Sequence, residues 1–297
     1  MPMRDKRLPF PYKKNIGIIT MAQPELSEDN LDIILEKMYV KKSWDFRRYR
    51  KSSLRRCIER RLASYRLHCK DYIEFLDVQP LEFNNLFNQL TIKVSEFFRD
   101  TDVFNQIEQY VIPEVIVKPK TDGNNSLRIW SIGCARGEEA YSIAILLSKI
   151  MRSSTQHALE DLKVKIFATD IDDASVDIAR KGIYCEESLK NVDLFQLGQF
   201  FKPSENYYQV SPQIRNLVTF GVHDIVSNIH LSHMDIICCR NLLIYFEKDL
   251  QEKVFEKFWY SLNSGGYIIL GRSEVVPSIF RDRFRDIFRK EKIYQKI

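Results

Sequence analysis

Apolar positions change their rhythm once along this chain. Before residue 118 they recur at three-and-four spacing: SEDNLDIILEKMY (27–39), KDYIEFLDV (70–78) and LEFNNLFNQLTIKVSEFFRD (81–100) each predict an amphipathic helix. The first opens on a serine suited to cap it, and no stretch in this half alternates as a strand does. From residue 127 onward, short apolar runs, mostly rich in β-branched or aromatic residues, take over: LRIWSIGC, VKIFATDID, LVTFGVHDI, MDIICCRN and GYIILGRSE. Helical segments such as EEAYSIAILLSKIM and KDLQEKVFEKFWYSL separate them. Strands alternating with helices predict an α/β fold whose largely parallel sheet is covered on both faces. Polar, turn-rich KPKTDGNNS (118–126) reads as a linker between a helical domain over 24–117 and an α/β domain over 127–297. Residues 1–23 show neither periodicity nor caps and read as a flexible arm.

Composition agrees with two soluble domains. The chain has 297 residues, 44% of them hydrophobic and 29% charged. No apolar run approaches the roughly 18 residues of a membrane span, and MPMRDKRLPFPYKK lacks the apolar core of a signal peptide. A cytoplasmic protein is expected, with no membrane insertion and, by default, a monomer. The six cysteines form no CxxC pair and the five histidines are scattered, so reduced structural thiols and no metal are expected.

The net charge of +5 is concentrated. Residues 41–70, KKSWDFRRYRKSSLRRCIERRLASYRLHCK, carry only Asp45 and Glu59 against many cations. At helical spacing Arg56, Arg60 and Arg61 share a face, while Leu54, Ile58, Leu62 and Tyr65 form an apolar stripe opposite. This basic amphipathic helix is either the solvated face of a core-packing helix or a docking face for nucleic acid, an anionic membrane or an acidic protein surface.

In open α/β sheets ligands bind outside the carboxyl ends of the strands. At those ends stand residues 133–139, then Asp170 and Asp172, then Asp224, then Arg240 and Asn241. The stretch WSIGCARGEEAYSIA (130–144) resembles a phosphate cradle, a glycine turn before a helix, yet Gly133-x3-Gly137 matches neither G-x-G-x-x-G nor a P-loop. Glu138 and Glu139 in the first helical turn would repel a phosphate by about 1 kcal/mol per charge pair at 4 Å in water, and more where water is excluded. Asp170 is placed to accept hydrogen bonds from ribose hydroxyls, or to cap the next helix. Asp224 is as well suited to a turn. A ligand with a ribose and a positive charge fits this set, and S-adenosylmethionine has both.

The chain resembles the CheR family of chemotaxis receptor methyltransferases from about residue 26 to residue 294. The matching motifs come in family order: VSEFFRD (94–100), GEEAYSIA (137–144), FATDID (167–172), CRNLLIYF (239–246) and GGYIILGRSE (265–274). The resemblance implies a Rossmann-like S-adenosylmethionine-dependent methyltransferase domain, a small all-helical N-terminal docking domain and a short β insertion, placed here at about 203–220. It implies methyl transfer to glutamate side chains of chemoreceptors, leaving S-adenosylhomocysteine. Lys93, Ser95, Arg99, Gly133, Glu139, Asp170, Asp224, Ile225, Arg240 and Asn241 then belong to the cofactor site. Glu139 matches the acid on the methionine ammonium, Glu138 remains a helix-start charge, and Asp224 with Ile225 falls beside the adenine. Arg99 and Tyr245 are expected to steer the substrate carboxylate, though Tyr245 is also placed to be a core aromatic beside Leu243 and Phe246. Receptor docking is assigned to Arg55, Arg56, Arg60 and Arg61 from charge alone.

Two positions depart from the family pattern. Lys93 stands where the family often has Asn and adds charge near a cationic ligand, while Asp224 replaces Asn with the opposite electrostatic effect. FFKPSENYYQVSPQIRNLVTF (200–220) holds no glycine, so dependence on a receptor-tail pentapeptide is not expected. Two other functions stay open, a cofactor-binding regulator without turnover and a methyltransferase acting on nucleic acid. Against the latter, the fourth strand ends in CCRNLL rather than Asn/Asp-Pro-Pro-Tyr/Phe.

Overall fold

The computed structural model describes residues 26–91, 93–117, 125–153 and 162–297. The arm expected over 1–23 and most of the linker expected over 118–126 lie outside the described residues. The chain divides into two compact units, residues 26–47 with Leu54–Leu90, and Arg48–Ser53 with Thr91–Ile297.

The first unit is helical: α1 (Glu28–Lys42), most of α2 (Lys51–Tyr65), α3 (Cys69–Val78) and α4 (Pro80–Leu90). Ser27 caps α1 by accepting from the Asn30 N–H. The apolar stripe read from α2 turns inward, with Leu54, Ile58 and Leu62 buried, as are Leu31, Ile34 and Leu35 of α1. The unit also holds a buried carboxylate, Glu82. Arg61 donates to it through Nε and Nη2 at 2.7 Å each, and the Tyr65 and Tyr72 hydroxyls donate at 2.8 and 2.9 Å. Burial pushes the Glu82 carboxyl up, but these donors, Arg61 foremost, outweigh it and hold it below its ordinary value.

The second unit begins with α5 (Thr101–Gln106), a π-helical turn at Ile107–Val111 and α6 (Ile112–Val117). Strands and helices then alternate: β1 (Ser126–Ile132), α7 (Glu138–Ser153), β2 (Lys163–Asp170) and α8 (Asp173–Lys181). A small element group follows, β3 (Ile183–Tyr184), α9 (Leu194–Phe200), β4 (Phe201–Ser204), β5 (Tyr207–Val210) and α10 (Pro212–Arg215). The chain closes with β6 (Val218–Val222), β7 (Met234–Cys239), α11 (Lys248–Ser261), β8 (Leu262–Leu270), β9 (Phe284–Phe288) and β10 (Ile293–Lys296).

Seven strands form one sheet in the order β6-β2-β1-β7-β8-β10-β9. The first five are parallel to their neighbours, and β10 is antiparallel to both β8 and β9. Alternation along the central strands feeds two cores: Ile129 and Ile236 enter one, Trp130 and Ile237 the other. This is the largely parallel sheet expected from the apolar pattern, in the Rossmann-like form that the family resemblance implies. The antiparallel β9–β10 pair adds an edge that the pattern did not announce. Residues 203–220, read above as the β insertion, divide differently. The three-stranded sheet has the order β3-β5-β4 and draws on residues from 183 to 210, whereas β6 is an edge strand of the large sheet. No helix among the described residues is long and apolar enough to cross a membrane.

Candidate active site

Strand order reverses between β1 and β7, which places the switch point of the sheet at their carboxyl ends. A cleft opens there, lined by Ser95, Glu96, Arg99, Gly133, Cys134, Ala135, Glu139, Arg240, Asn241 and Tyr245, with Val94 and Ile244. The loop from β1 to α7 is tightly wound. Gly133, Ala135 and Gly137 take φ of 68°, 47° and 92°, and a Cβ on Gly137 would lie 2.9 Å from both Ala179 and Phe220. The N–H groups of Gly133 and Cys134 donate to Thr169 O at 2.8 and 3.0 Å. That of Ala135 donates to Asp170 Oδ2 at 2.8 Å.

Glu139 is fixed from two sides. The fully buried Ser131 hydroxyl donates to Oε1 at 2.8 Å, and Arg240 Nη1 lies 3.4 Å from Oε2. The Arg240 side chain is only 3% exposed, and its Nη2 donates to Arg99 O at 2.8 Å and to Asp100 Oδ2 at 2.5 Å. Arg240 thus ties the acid of α7 to the segment that carries Ser95 and Arg99. That segment has Phe98 and Asp100 at φ of 51° and 60°, left-handed conformations that cost side-chain-bearing residues about 1 kcal/mol each. Ser142 Oγ accepts from the Phe98 N–H at 2.9 Å, and the Phe97 N–H donates to Ser188 O at 3.1 Å, so both flanks are pinned.

Other residues singled out in the sequence have more specific surroundings than their positions implied. Both Asp170 oxygens receive backbone N–H groups, Oδ2 from Ala135 and Oδ1 from Asp172 at 2.9 Å. Burial pushes its carboxyl up in spite of them. Lys93 does not line the cleft: its ammonium stands 2.6 Å from Asp172 Oδ2, which also caps α8. Burial raises the Asp172 carboxyl, but Lys93 and Ser175 more than offset this and hold it below its ordinary value. Asp224 receives the Val226 N–H at 2.8 Å and the Ser227 hydroxyl, the geometry of a turn residue, while Ile225 is buried. Lys257 holds that turn closed, donating to the carbonyls of Ile225, Val226 and Asn228 at 2.8 Å each.

Glu138 stands in the first turn of α7, the helix start expected of it, but it is buried there. It is 2% exposed, and burial lifts its carboxyl above the ordinary value despite a hydrogen bond from Ser95. In the first unit Arg56 and Arg60 are exposed, Arg55 lies 3.9 Å from Glu28, and Arg61 is held by Glu82. Cys185 is exposed, whereas the other five cysteines are buried.

This set of side chains fits a cationic, nucleoside-bearing cofactor better than a phosphate: Glu139 lines the cleft, no lysine does so among the described residues, and helix α7 starts on two acids. Among the described residues no group of three or more His, Cys, Asp or Glu side chains could hold a metal ion. Sheet order and cleft together define an α/β domain of the S-adenosylmethionine-dependent methyltransferase class. Residues 93–293 match the family model "CheR methyltransferase, SAM binding domain", and the chain belongs to that family, with S-adenosylmethionine as its cofactor.

The chain is 34% identical to "Putative methyltransferase Cher3" of Pseudomonas putida, over 91% of this chain and 99% of that protein. It is 31% identical to "Chemotaxis protein methyltransferase" of Listeria innocua, over 74% and 81% respectively. To "Uncharacterized 104.1 kDa protein in hypE 3'region" of Rhodobacter capsulatus it is 30% identical over 89% of this chain, which spans only 27% of that protein.

Proposed function

We propose that the protein methylates glutamate side chains in the cytoplasmic signalling domain of methyl-accepting chemoreceptors, forming methyl esters. The observation that carries this reading is the cleft itself, where Glu139, Arg99 and Tyr245 share one wall system at the switch point of the sheet. Family membership and relatives named chemotaxis protein methyltransferases support the glutamate substrate. So does the sequence after β7, which lacks the Pro-Pro signature of nucleic-acid amino-methyltransferases.

S-adenosylmethionine would supply, when bound, a methyl group on a sulfonium, whose sulfur is a good leaving group because it departs as a neutral thioether. Glu139, oriented by Ser131 and Arg240, holds the ammonium of the cofactor. Asp170 serves the ribose, and the turn at Asp224 and Ile225 serves the adenine. A glutamate side chain has an unperturbed pKa of about 4.3, so the substrate is already a carboxylate near neutral pH and needs no general base. Arg99 and Tyr245 orient that carboxylate, and catalysis comes from alignment and exclusion of water. Arg55, Arg56 and Arg60 dock acidic receptor helices, while Arg61 serves Glu82.

The test is to incubate the protein with radiolabelled S-adenosylmethionine and either chemoreceptor-containing membranes or nucleic acid, following base-labile label. Label on the receptor that is lost when its methyl-accepting glutamates are replaced by Ala supports the proposal. Label on nucleic acid, or none on any receptor despite cofactor binding, overturns it.

A further inference from the structure

A buried carboxylate with no role so far stands behind the cleft. Glu274 lies just past the end of β8, is 3% exposed, and pairs with no cation among the described residues. Its partners are all backbone N–H groups. Oε2 accepts from Asn241 at 3.0 Å and from Gly271 at 2.6 Å, and Oε1 accepts from Ile244 at 3.3 Å. Two of these donors, Asn241 and Ile244, belong to the turn after β7, whose residues Arg240, Asn241, Ile244 and Tyr245 line the cleft.

We propose that Glu274 is a positioning residue of the cofactor cleft, a carboxylate from the end of β8 that gathers the turn after β7 and fixes Asn241 and Tyr245 for methyl transfer. Two observations beyond the hydrogen bonds support this. Asn241 has φ of 61°, a left-handed conformation that persists only where surrounding contacts enforce it. Gly271 leaves room for the clamp, since a Cβ there would lie 2.7 Å from Glu274 Oε2 and 2.8 Å from Asn241 N. Because β7 and β8 pair in parallel with Cys239 opposite Leu270, the two carboxyl ends emerge side by side and the carboxylate needs to reach only across one strand spacing. A buried carboxylate satisfied by dipoles alone is a poor stabiliser, because removing it from water costs what the N–H groups return. Its value is the geometry it imposes.

The proposal rests on the roles given above to Asn241 and Tyr245, and its test is separable from them. Glu274→Gln keeps the shape but sets an amide N–H against backbone donors, while Gly271→Ala leaves the carboxylate and wedges it from the turn. Each is compared with wild type in melting temperature, calorimetric affinity for S-adenosylhomocysteine, amide hydrogen exchange over residues 241–245, and kcat and KM with a receptor fragment. Affinity is expected to fall about tenfold and exchange over 241–245 to accelerate in both variants, with kcat lowered more than receptor KM is raised. Variants that lose melting temperature while keeping wild-type affinity and exchange overturn the proposal. If wild type binds S-adenosylhomocysteine but methylates no receptor, the substrate assignment fails, and affinity and exchange alone still judge Glu274.

Discussion

Ser131 donates its hydroxyl hydrogen to Glu139 Oε1 across 2.8 Å, from a side chain with no solvent exposure. The acid at the second helical position of α7 is thereby held as a fixed charge facing the cleft, while its neighbour Glu138 is drawn inward and pushed toward its neutral form by burial. Glu139→Gln is expected to weaken S-adenosylhomocysteine binding by about tenfold or more. Glu138→Gln should change it by less than about threefold, since Glu138 does not line the cleft and the amide fills the same buried space. Calorimetric titration of both variants checks this, and equal losses would remove the distinction.

The Lys93 ammonium, 2.6 Å from Asp172, is neutralised before it can act on the cleft. Lys93→Met should therefore leave S-adenosylhomocysteine affinity within about threefold while costing about 3 kcal/mol of stability at neutral pH, the scale for stranding one member of a buried pair. Asp172 has a folded pKa below its unfolded value, so its contribution is complete above the ordinary carboxylate range and fades as pH falls through the folded value. Denaturant melts of the two proteins should converge in acid. A stability gap that stays constant down to the lowest pH contradicts this account.

Glu82 makes the same argument for the helical unit. Its carboxyl, too, is held below the ordinary value when folded. Glu82→Gln should flatten the acid limb of unfolding and lower stability at neutral pH by about 3 kcal/mol, because Arg61 loses its partner. Circular dichroism melts across pH test it, and an unchanged acid limb would show that other carboxylates govern acid unfolding.

Charge reversal at Arg56 and Arg60 addresses docking. The double variant R56E/R60E should raise the receptor KM by about tenfold at low salt with little change in kcat, and the difference should shrink as ionic strength shortens the Debye length. A loss confined to kcat would place these arginines elsewhere in the mechanism.

How much of this was legible beforehand depends on how local each feature is. The five parallel strands announce themselves as apolar runs because both faces of the sheet are covered. By contrast β9 and β10, written FRDIF and IYQK, carry charges at an edge and hide among the polar residues around them. The β insertion expected over 203–220 overlaps LVTFGVHDI, the run that forms β6 of the large sheet, and it misses β3, which at two residues is too short to show as a strand in the sequence. Glu139, Arg99, Arg240, Asn241 and Tyr245 were readable as strand-end or motif residues, and one cleft collects them. Ser131 and Glu274 were not readable as parts of the site, since one sits inside an apolar strand and the other behind a turn. Their meaning lies in residues 8 and 33 positions away along the chain. Arg61 shares a helical face with Arg56 and Arg60 on paper, yet one long side chain suffices to redirect it to Glu82.

The exposed Cys185 also has a practical use. With the other five thiols buried, maleimide chemistry should label this one position, three residues from the Ser188 carbonyl that pins the Phe97 N–H beside the cleft. A fluorophore attached there would sit next to the strained turn that carries Arg99. It would let cofactor arrival be followed by emission on the native sequence, with no cysteine introduced or removed.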